Sequence, residues 1–361
     1  MKTWTTATLG DVCDIVNGRN QKEVLDVNGT YPVYGSAGNL MGLANKYICE
    51  SGTVIIGRKG NISKPLFINE KFWNVDTAFG IYPKNGSLLP KFNYYQCLNI
   101  DFASRDKGTT IPSLVKSDLQ TIPVSYPPDL SEQQQIVEKL DTAFDLIDRA
   151  KANIEKNIQN AKELFQSKLN QVFSEKGEGW EEKKIEEVCE SIVAGGDAPK
   201  NNFSAERNDK FSIPIYANAV KLNGLYGYTK SPKVTKPSLT IAARGSGTGF
   251  TCIRDEPFFP IVRLLVLTPN DKINLRFLKL SVDNQVIKSS GSAIPQFTVP
   301  MLKKINLSYP IKLSEQQRII GEIDQISAQT ELLQQKYKQK LANLEELKKS
   351  ILEKAFKGEL I

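Results

Sequence analysis

LSEQQQIVEKLDTAFDLIDRAKANIEKN, residues 130–157, opens a long helical stretch, and LSEQQRIIGEIDQ, residues 313–325, opens a second copy of it. The copies also end alike, with SKLNQVFSEKG at 167–177 and SILEKAFKGEL at 350–360. Ser131 matches Ser314 and Phe173 matches Phe356, so the offset stays at 183 residues with no insertion. An internal repeat of this kind fixes the architecture before any local assignment is made.

Signals for helix ends bound both copies. Prolines precede each helix where they cannot interrupt its hydrogen bonds, a Ser-x-x-Gln capping box follows, and a glycine C-cap closes it. The residues are Pro127, Pro128, Ser131, Gln134 and Gly177 in the first copy, and Pro310, Ser314, Gln317 and Gly358 in the second.

Heptad spacing runs through both copies and predicts a coiled coil. In the first copy these positions are mostly apolar: Leu140, Phe144, Ile147, Lys151, Ile154, Ile158, Ala161, Phe165, Lys168 and Val172. In the second they are more polar: Ile323, Ser327, Thr330, Gln334, Tyr337, Leu341, Leu344, Lys348, Ile351 and Ala355. A helix of about 45 residues spans about 65 Å.

Composition narrows the class of protein. The 361 residues are 40% hydrophobic and 24% charged, which is ordinary for a globular protein of two or three domains. Histidine is absent, which removes the commonest general base and zinc ligand. The five cysteines are widely spaced and odd in number, so reduced thiols are expected. No apolar run reaches membrane-spanning length and MKTWTTATLGD is no signal peptide, so the expected location is the cytoplasm.

The segments that flank the two helices also repeat, at lower fidelity. Tyr31–Tyr34 is echoed by Ile213–Tyr216, and the apolar strand Thr53–Ile56 by Leu239–Ala243. Each strand leads into a basic glycine loop, GRKGN at 57–61 and RGSGTG at 244–249, and the later elements GTTIP at 108–112 and GSAIP at 291–295 also match. The order is therefore globular unit, helix, globular unit, helix.

This order predicts a geometry. The second helix can bury its heptad positions against the first only by running antiparallel to it, which places two heads at opposite ends of a helical spacer with approximate two-fold symmetry. The net charge of +7 lies mainly in residues 177–313, and a basic surface suits a polyanion, although solubility alone would also explain it. Duplex DNA is a ligand with matching two-fold symmetry.

The chain resembles the specificity (S) subunits of type I DNA restriction-modification systems, over essentially its whole length. The resemblance is carried by the LSEQQ helices, IIGRKGNIS and TIAARGSGTGF, FWNVDTAF and EPFFPIVRL, GTTIP and GSAIP, and the ending AFKGEL. It implies an α+β fold in which two mixed α/β target recognition domains are joined by two long helices, as an antiparallel coiled coil with a pseudo-two-fold repeat. The expected domains are 1–130 and 177–313 for recognition, and 131–176 and 314–361 for the spacer helices.

The resemblance also implies partners. Each recognition domain would recognise one half of a bipartite double-stranded DNA sequence, and the helices would act as a ruler and as docking sites for two methyltransferase (modification) subunits. A restriction subunit can join such a complex. No cofactor is expected on this chain itself, since S-adenosylmethionine would belong to the methyltransferase subunit.

Cations on the glycine loops are the first candidates for DNA contact, because their duplication favours phosphate or guanine binding over a plain hairpin turn. These are Arg58, Lys59 and Arg244. Weaker candidates, each more often a solvated charge, lie on polar loops: Arg19, Lys22, Lys64, Arg105 and Lys107 in the first unit, and Lys200, Arg207, Lys221, Lys230, Lys233 and Lys236 in the second. Trp4 and Trp180 are expected to anchor the cores.

Two other functions stay open at the level of sequence. One is a self-sufficient DNA methyltransferase or nuclease, against which stand the missing Asn-Pro-Pro-aromatic stretch, cofactor motif and paired carboxylates. The other is a coiled-coil adaptor for proteins. The favoured hypothesis is a non-catalytic DNA-recognition subunit, with no catalytic residue and no metal ligand on this chain.

Overall fold

A computed structural model describes residues 4–84, 86–289 and 296–360, except for the side chains of Ser246 and residues 286–289. The predicted GSAIP element, 291–295, lies outside the described residues. Contacts divide the chain into unit 1, made of Met1–Lys156 with Tyr337–Ile361, and unit 2, Asn157–Lys336. Each unit thus takes part of each long helix, and the predicted four-segment division remains a prediction.

Strands dominate the globular part of unit 1. They are β1 (Thr5–Thr8), β2 (Cys13–Asn17), β3 (Tyr31–Tyr34), β4 (Leu40–Ala44), β5 (Thr53–Gly57), β6 (Leu66–Ile68), β7 (Trp73–Asn74), β8 (Ala78–Pro83) and β9 (Pro123–Tyr126). Short helices accompany them: α1 (Leu9–Val12), α2 (Pro90–Asn99) and α3 (Lys116–Gln120).

The strands of unit 1 form three sheets. The main sheet is antiparallel with the order β2-β8-β5-β6. A second sheet, β4-β3-β7, pairs β3 antiparallel with β4 and parallel with β7. The third joins β1 to β9. The predicted buried strand is β5, whose residues are all buried, because it lies inside the main sheet between β8 and β6.

Unit 2 repeats these elements in the same order. Its long helices aside, they are β10 (Trp180–Lys184), α5 (Ile185–Val188), β11 (Cys189–Ala194), β12 (Ile213–Tyr216), β13 (Leu225–Thr229), β14 (Ser238–Ile241), β15 (Thr251–Arg254), β16 (Phe259–Pro260), β17 (Leu265–Pro269), α6 (Leu275–Ser289), α7 (Val299–Lys303) and β18 (Asn306–Pro310). The sheet orders β11-β17-β14-β15, β13-β12-β16 and β10-β18 are those of unit 1, strand for strand. The predicted repeat of a mixed α/β domain is confirmed.

Two long helices complete the fold, α4 (Leu130–Ser174) and α8 (Leu313–Phe356). Within unit 1 they run antiparallel, because Lys151 lies 2.5 Å from Glu345, Asp148 3.0 Å from Lys348, and Lys139 donates to the carbonyl of Leu360. The predicted heptad positions are buried or half-buried on both helices, as a coiled-coil face requires, except for Lys168, which is exposed.

The predicted helix caps need correction. Ser131 and Ser314 lie inside their helices, which begin one residue earlier, so neither starts a capping box. At α4 the cap is Asp129, whose side chain accepts from the backbone N–H of Ser131 at 2.8 Å. A carboxylate is a stronger hydrogen-bond acceptor than the hydroxyl of Ser131. Gly177 is not left-handed, whereas Gly358 is, with φ 74°, and the Glu359 N–H closes the last turn of α8 on the Lys354 carbonyl.

Each unit has a core that includes both long helices. In unit 1, Leu140 and Phe144 of α4 and Leu352 of α8 join the residues of the main sheet. In unit 2, Leu169 and Phe173 of α4 join Ile319 and Ile323 of α8. Trp4 and Trp180 pack against these cores, as predicted. All five cysteines are free thiols.

Candidate nucleic-acid interface

The basic glycine loop of unit 1, residues 57–61, is held between two other loops by backbone hydrogen bonds. The N–H groups of Arg58 and Lys59 both donate to the carbonyl of Thr77, at 2.7 and 3.2 Å. On the other side the Leu114 N–H donates to the Arg58 carbonyl at 2.9 Å, and Gly60 donates to Pro112 at 2.8 Å. The exposed side chains of Arg58 and Lys59 therefore project from a fixed backbone.

A fourth segment joins these loops at the end of β2. The Gly18 N–H donates to the Ala78 carbonyl at 3.0 Å, and the Arg19 N–H donates to the Asn74 carbonyl at 2.9 Å. The indole of Trp73 also donates to the Arg19 carbonyl at 3.1 Å. Residues 17–19, 57–61, 74–78 and 106–114 form one connected surface, which we call loop cluster 1.

Asp106 organises the GTTIP loop of this cluster. Its carboxylate accepts from the backbone N–H groups of Gly108 and Ser113, at 2.7 and 2.8 Å. These two bonds, led by that from Ser113, lower the pKa of the Asp106 carboxyl below its ordinary value of 3.8. Lys107 is bound in the same loop through its N–H, which donates to the Ser113 carbonyl at 2.9 Å, while its ammonium lies 3.6 Å from Asp118.

Close backbone approach explains why glycine occupies two positions of loop cluster 1. A Cβ atom at Gly57 would lie 2.2 Å from the Asn61 carbonyl oxygen, and one at Gly108 would lie 1.9 Å from that of Ile111. Any side chain would force these loops open. The glycines set the shape of the loops, and the cations beside them supply the charge.

Unit 2 builds an equivalent surface on the equivalent strands. The Phe297 N–H donates to the Ala243 carbonyl at 2.9 Å, and the amide of Asn218 binds both sides of Arg244, donating to its carbonyl and accepting from the Ala243 N–H. Asn218 thus holds this loop through its side chain, whereas in unit 1 the backbone carbonyl of Thr77 holds Arg58 and Lys59. Residues 194–196, 243–249, 258–264 and 296–297, with Asn218, form loop cluster 2.

Lys233 extends loop cluster 2. Its N–H donates to the Phe258 carbonyl at 3.0 Å, and its ammonium lies 5.4 Å from the centre of the Phe259 ring. A Cβ atom on Gly196 would lie 3.7 Å from that ammonium. The side chain is exposed at the edge of the cluster.

The structure therefore brings together some of the predicted cations and not others. Loop cluster 1 holds Arg19, Arg58, Lys59 and Lys107, and loop cluster 2 holds Arg244 with Lys233 beside it. Lys22 and Lys64 are exposed just beyond the segments of cluster 1, and Lys200, Arg207, Lys221 and Lys230 are exposed on segments of unit 2 around β12 and β13.

Two of the predicted cations, Arg105 and Lys236, lie outside the loop clusters. Arg105 lines a cavity beside Ile122 and Phe356, at the end of α8. Lys236 pairs with Glu190 at 2.7 Å. Each of the two contacts residues that are far away in the sequence, so the sequence alone does not show these contacts. Their assignment to DNA contact stays a prediction.

Arg254 shows how a cation of the recognition domain can be structural. It is 6% exposed, and its guanidinium lies 3.6 Å from the centre of the Tyr216 ring. It also donates to the Thr240 hydroxyl at 3.1 Å and to the Asn223 carbonyl at 2.5 Å. Arg254 is buried and is bonded inside the unit through Nε and Nη2, so it braces β14 and β15 and does not face a ligand. The sequence analysis did not identify Asn218 or Arg263 of loop cluster 2. Their positions depend on contacts with segments that are distant in the sequence, Ala243 and Arg244 for Asn218 and Gly195 for Arg263.

Among the residues that the structure describes, none of the helices combines the length and apolar character needed to cross a membrane.

Comparison with known proteins gives one family. The family model for the type I restriction modification DNA specificity domain matches residues 1–160 and again residues 177–343. A Mycoplasma pneumoniae protein named as a type I specificity subunit is 26% identical over 325 residues, covering 88% of each chain. The Escherichia coli type I restriction enzyme EcoDI specificity subunit is 24% identical over 405 residues, covering 99% of this chain and 88% of its own length.

Solved structures share the fold. A chain from a structure on complex assembly and conformational transition of the type I R-M system superposes with a TM-score of 0.83 at 20% identity, over 99% of this chain and 98% of that one. The HsdS subunit of Thermoanaerobacter tengcongensis superposes with a TM-score of 0.61 at 22% identity, over 99% and 97%.

Proposed function

Because the chain belongs to the family of type I restriction-modification DNA specificity domains, we propose that each unit recognises one half of a bipartite double-stranded DNA sequence through its loop cluster. The chain is the DNA sequence-recognition subunit of a restriction-modification complex, and such subunits are non-catalytic. We assign its DNA contacts to residues of the two loop clusters.

The duplication of the loop clusters is the observation that carries the proposal. Both clusters lie at the same strand ends of sheets with the same order, and both hold an arginine on the loop after the buried strand, Arg58 after β5 and Arg244 after β14. A pair of similar but not identical surfaces suits two different half-sites.

The chemistry of the clusters suits DNA in two ways. Exposed cations on a fixed backbone bind phosphates, which positions the protein and makes affinity depend on salt. Arginine also presents a planar pair of donors that matches the O6 and N7 acceptors of guanine in the major groove. Under this proposal Lys59, Lys107 and Lys233 contact phosphates, and Arg19, Arg58 and Arg244 are placed to contact base edges.

The chain acts in a complex with other restriction-modification subunits. We assign two modification subunits to the exposed faces of α4 and α8, one for each unit, because the helical repeat offers the same surface twice. S-adenosylmethionine would be bound by those subunits, and a restriction subunit would complete a nuclease. The exposed Leu164 on α4 and Leu347 on α8, 58% and 46% exposed, are equivalent positions of the repeat and are apolar, which suits such docking.

Transfer of labelled methyl groups tests this function. Purified chain, purified modification subunit and their mixture are incubated with S-adenosylmethionine and a bacterial genomic DNA. Methylation by the mixture alone supports the proposal. Methylation by this chain alone would establish the self-sufficient methyltransferase instead, and a mixture that methylates no better than the modification subunit alone would favour the protein adaptor.

A further inference from the structure

The turn between β16 and β17, residues Ile261–Leu264, has an unusual backbone. Val262 and Arg263 both adopt left-handed conformations, with φ of 52° and 59°. A β-branched residue such as valine rarely occupies this region, because its Cβ substituents crowd the following carbonyl. Strained backbone persists only where surrounding structure enforces it, and it is concentrated at functional sites.

The surroundings of this turn do enforce it. The N–H groups of Val262 and Arg263 donate to the carbonyls of Gly196 and Gly195, at 2.8 and 2.9 Å, and Leu264 donates back to Ile261 at 3.1 Å. Ile261 and Leu264 are buried on either side. A Cβ atom on Gly195 would lie 2.7 Å from the Ile261 nitrogen, so glycine is needed for the approach.

The two side chains at the tip of this turn point to solvent. Val262 is 59% exposed, and Arg263 is exposed, with no ion pair or side-chain hydrogen bond to any described residue. This sets Arg263 apart from Arg254, which is buried and donates to two groups inside the unit. An apolar group and an unengaged guanidinium are thus held side by side, within loop cluster 2.

Unit 1 has the same turn with different chemistry. Its residues Val75–Ala78 close with the same bond, Ala78 N–H to the Val75 carbonyl at 3.0 Å. The tip carries Asp76 and Thr77, and neither has a left-handed backbone. Strain, exposed apolar surface and positive charge therefore distinguish unit 2 at this position.

We propose that the Val262–Arg263 turn is a base-contacting element of unit 2, in which Arg263 donates to the O6 and N7 of a guanine and Val262 contacts a neighbouring thymine methyl group. The major groove offers both features, and these side chains match them. The inference rests on the proposed function, and it assigns a specificity-determining role to residues that phosphate binding alone would not require.

Selection of duplexes from a randomised library by the reconstituted complex tests it, with wild type, Arg263→Ala, Arg263→Lys and Val262→Gly. We expect Arg263→Ala to lower the preference for one guanine in one half-site about 10- to 100-fold and to leave the other half-site unchanged. Arg263→Lys should keep part of that preference. Lys304→Ala, an exposed lysine on the segment after α7, is the control for loss of one charge.

Val262→Gly provides an independent criterion. Glycine accepts a left-handed backbone without strain, so this variant should have a Tm equal to or above that of wild type while losing selectivity at one base pair. Uniform weakening on all sequences by Arg263→Ala would reduce Arg263 to a phosphate contact and overturn the inference, as would unchanged selectivity. If wild type selects no sequence at all, the proposed function itself fails.

Discussion

Gln133 and Gln316, 183 residues apart, make the same three hydrogen bonds in two separate units. Both side chains are fully buried. In each, the amide oxygen accepts from the backbone N–H at or just before the start of a recognition-domain helix, and the amide nitrogen donates to two carbonyls. The partners are Leu89, Pro127 and Ser87 for Gln133, and Asn274, Pro310 and Lys272 for Gln316, all at 2.7 to 3.1 Å. The first glutamine of each LSEQQ motif thus fastens a long helix to its domain.

Replacing Gln133 by alanine should therefore destabilise unit 1. The change removes the partner of the half-buried Leu89 N–H, of the half-buried Ser87 carbonyl and of the buried Pro127 carbonyl, at a cost of about 2–4 kcal/mol of unfolding free energy. Denaturant unfolding measures this, with Gln134→Ala as the matched control, because Gln134 is exposed and its side chain donates to Glu138 on the same helix. The control should change stability by less than about 0.5 kcal/mol. Equal effects of the two substitutions would contradict the role assigned to Gln133.

Reversal of the Asp148–Lys348 pair tests the antiparallel register of α4 and α8 in unit 1. Lys348 lies 3.0 Å from Asp148 and 4.5 Å from the centre of the Phe144 ring. Asp148→Lys and Lys348→Asp should each destabilise, and the double exchange should recover about 0.5–1 kcal/mol of that loss in a double-mutant cycle. The same exchange of Asp145 and Arg149, a pair within α4, is the control for charge order along one helix. A coupling energy of zero would contradict the register.

Acid should open the GTTIP loop of loop cluster 1. The pKa of the Asp106 carboxyl is lower in the folded protein than its ordinary value of 3.8. The carboxylate therefore stabilises the folded loop at pH values above 3.8, and this stabilisation is lost as the pH falls through the lower pKa of the folded state. Asp106→Asn should remove it at every pH. Hydrogen exchange of the segment 106–114 near neutral pH measures the difference, with Asp101→Asn as the control, because Asp101 serves the preceding turn. Unchanged protection in Asp106→Asn would exclude the role of the carboxylate.

Loss of a single phosphate contact should appear in the salt dependence of DNA binding. Lys59→Ala is expected to weaken binding by the complex to all sequences about equally and to reduce the slope of log K against log salt by about one. Lys46, an exposed lysine outside the loop cluster, provides the control substitution. Should Lys59→Ala alter base preference with the slope unchanged, Lys59 would be a base contact and the division of roles would need revision.

The sequence predicted the repeat, because the two helical copies match at a constant offset of 183 residues with no insertion. It also predicted strand β5 and the glycine loops after β5 and β14, where the pattern of an apolar run followed by glycine is local. It did not predict Gln133, since the partners of that side chain lie at residues 87, 89 and 127 and meet only in the fold.

Only part of the candidate site could be predicted, because some of its residues lie in local sequence patterns and others are brought together only by the fold. Arg58 and Arg244 lie on loops that the repeat marks, and both are found in the clusters. Arg263 depends on the approach of Gly195 and Gly196 to a turn more than 60 residues away, and Arg254, an equally basic residue, is buried. Charge alone does not distinguish a cation that braces a sheet from one that faces a ligand.

Methylome sequencing tests whether each unit recognises one half of the target sequence. Cells would express the modification subunit with wild-type chain, with no chain, with Arg58→Ala/Lys59→Ala, or with Arg244→Ala. We predict a gapped two-part motif with wild type, none without the chain, relaxation of one half by the unit 1 variant, and relaxation of the other half by Arg244→Ala. A methylation pattern that does not depend on the chain, or variants that alter both halves together, would contradict recognition of one half-site by each unit.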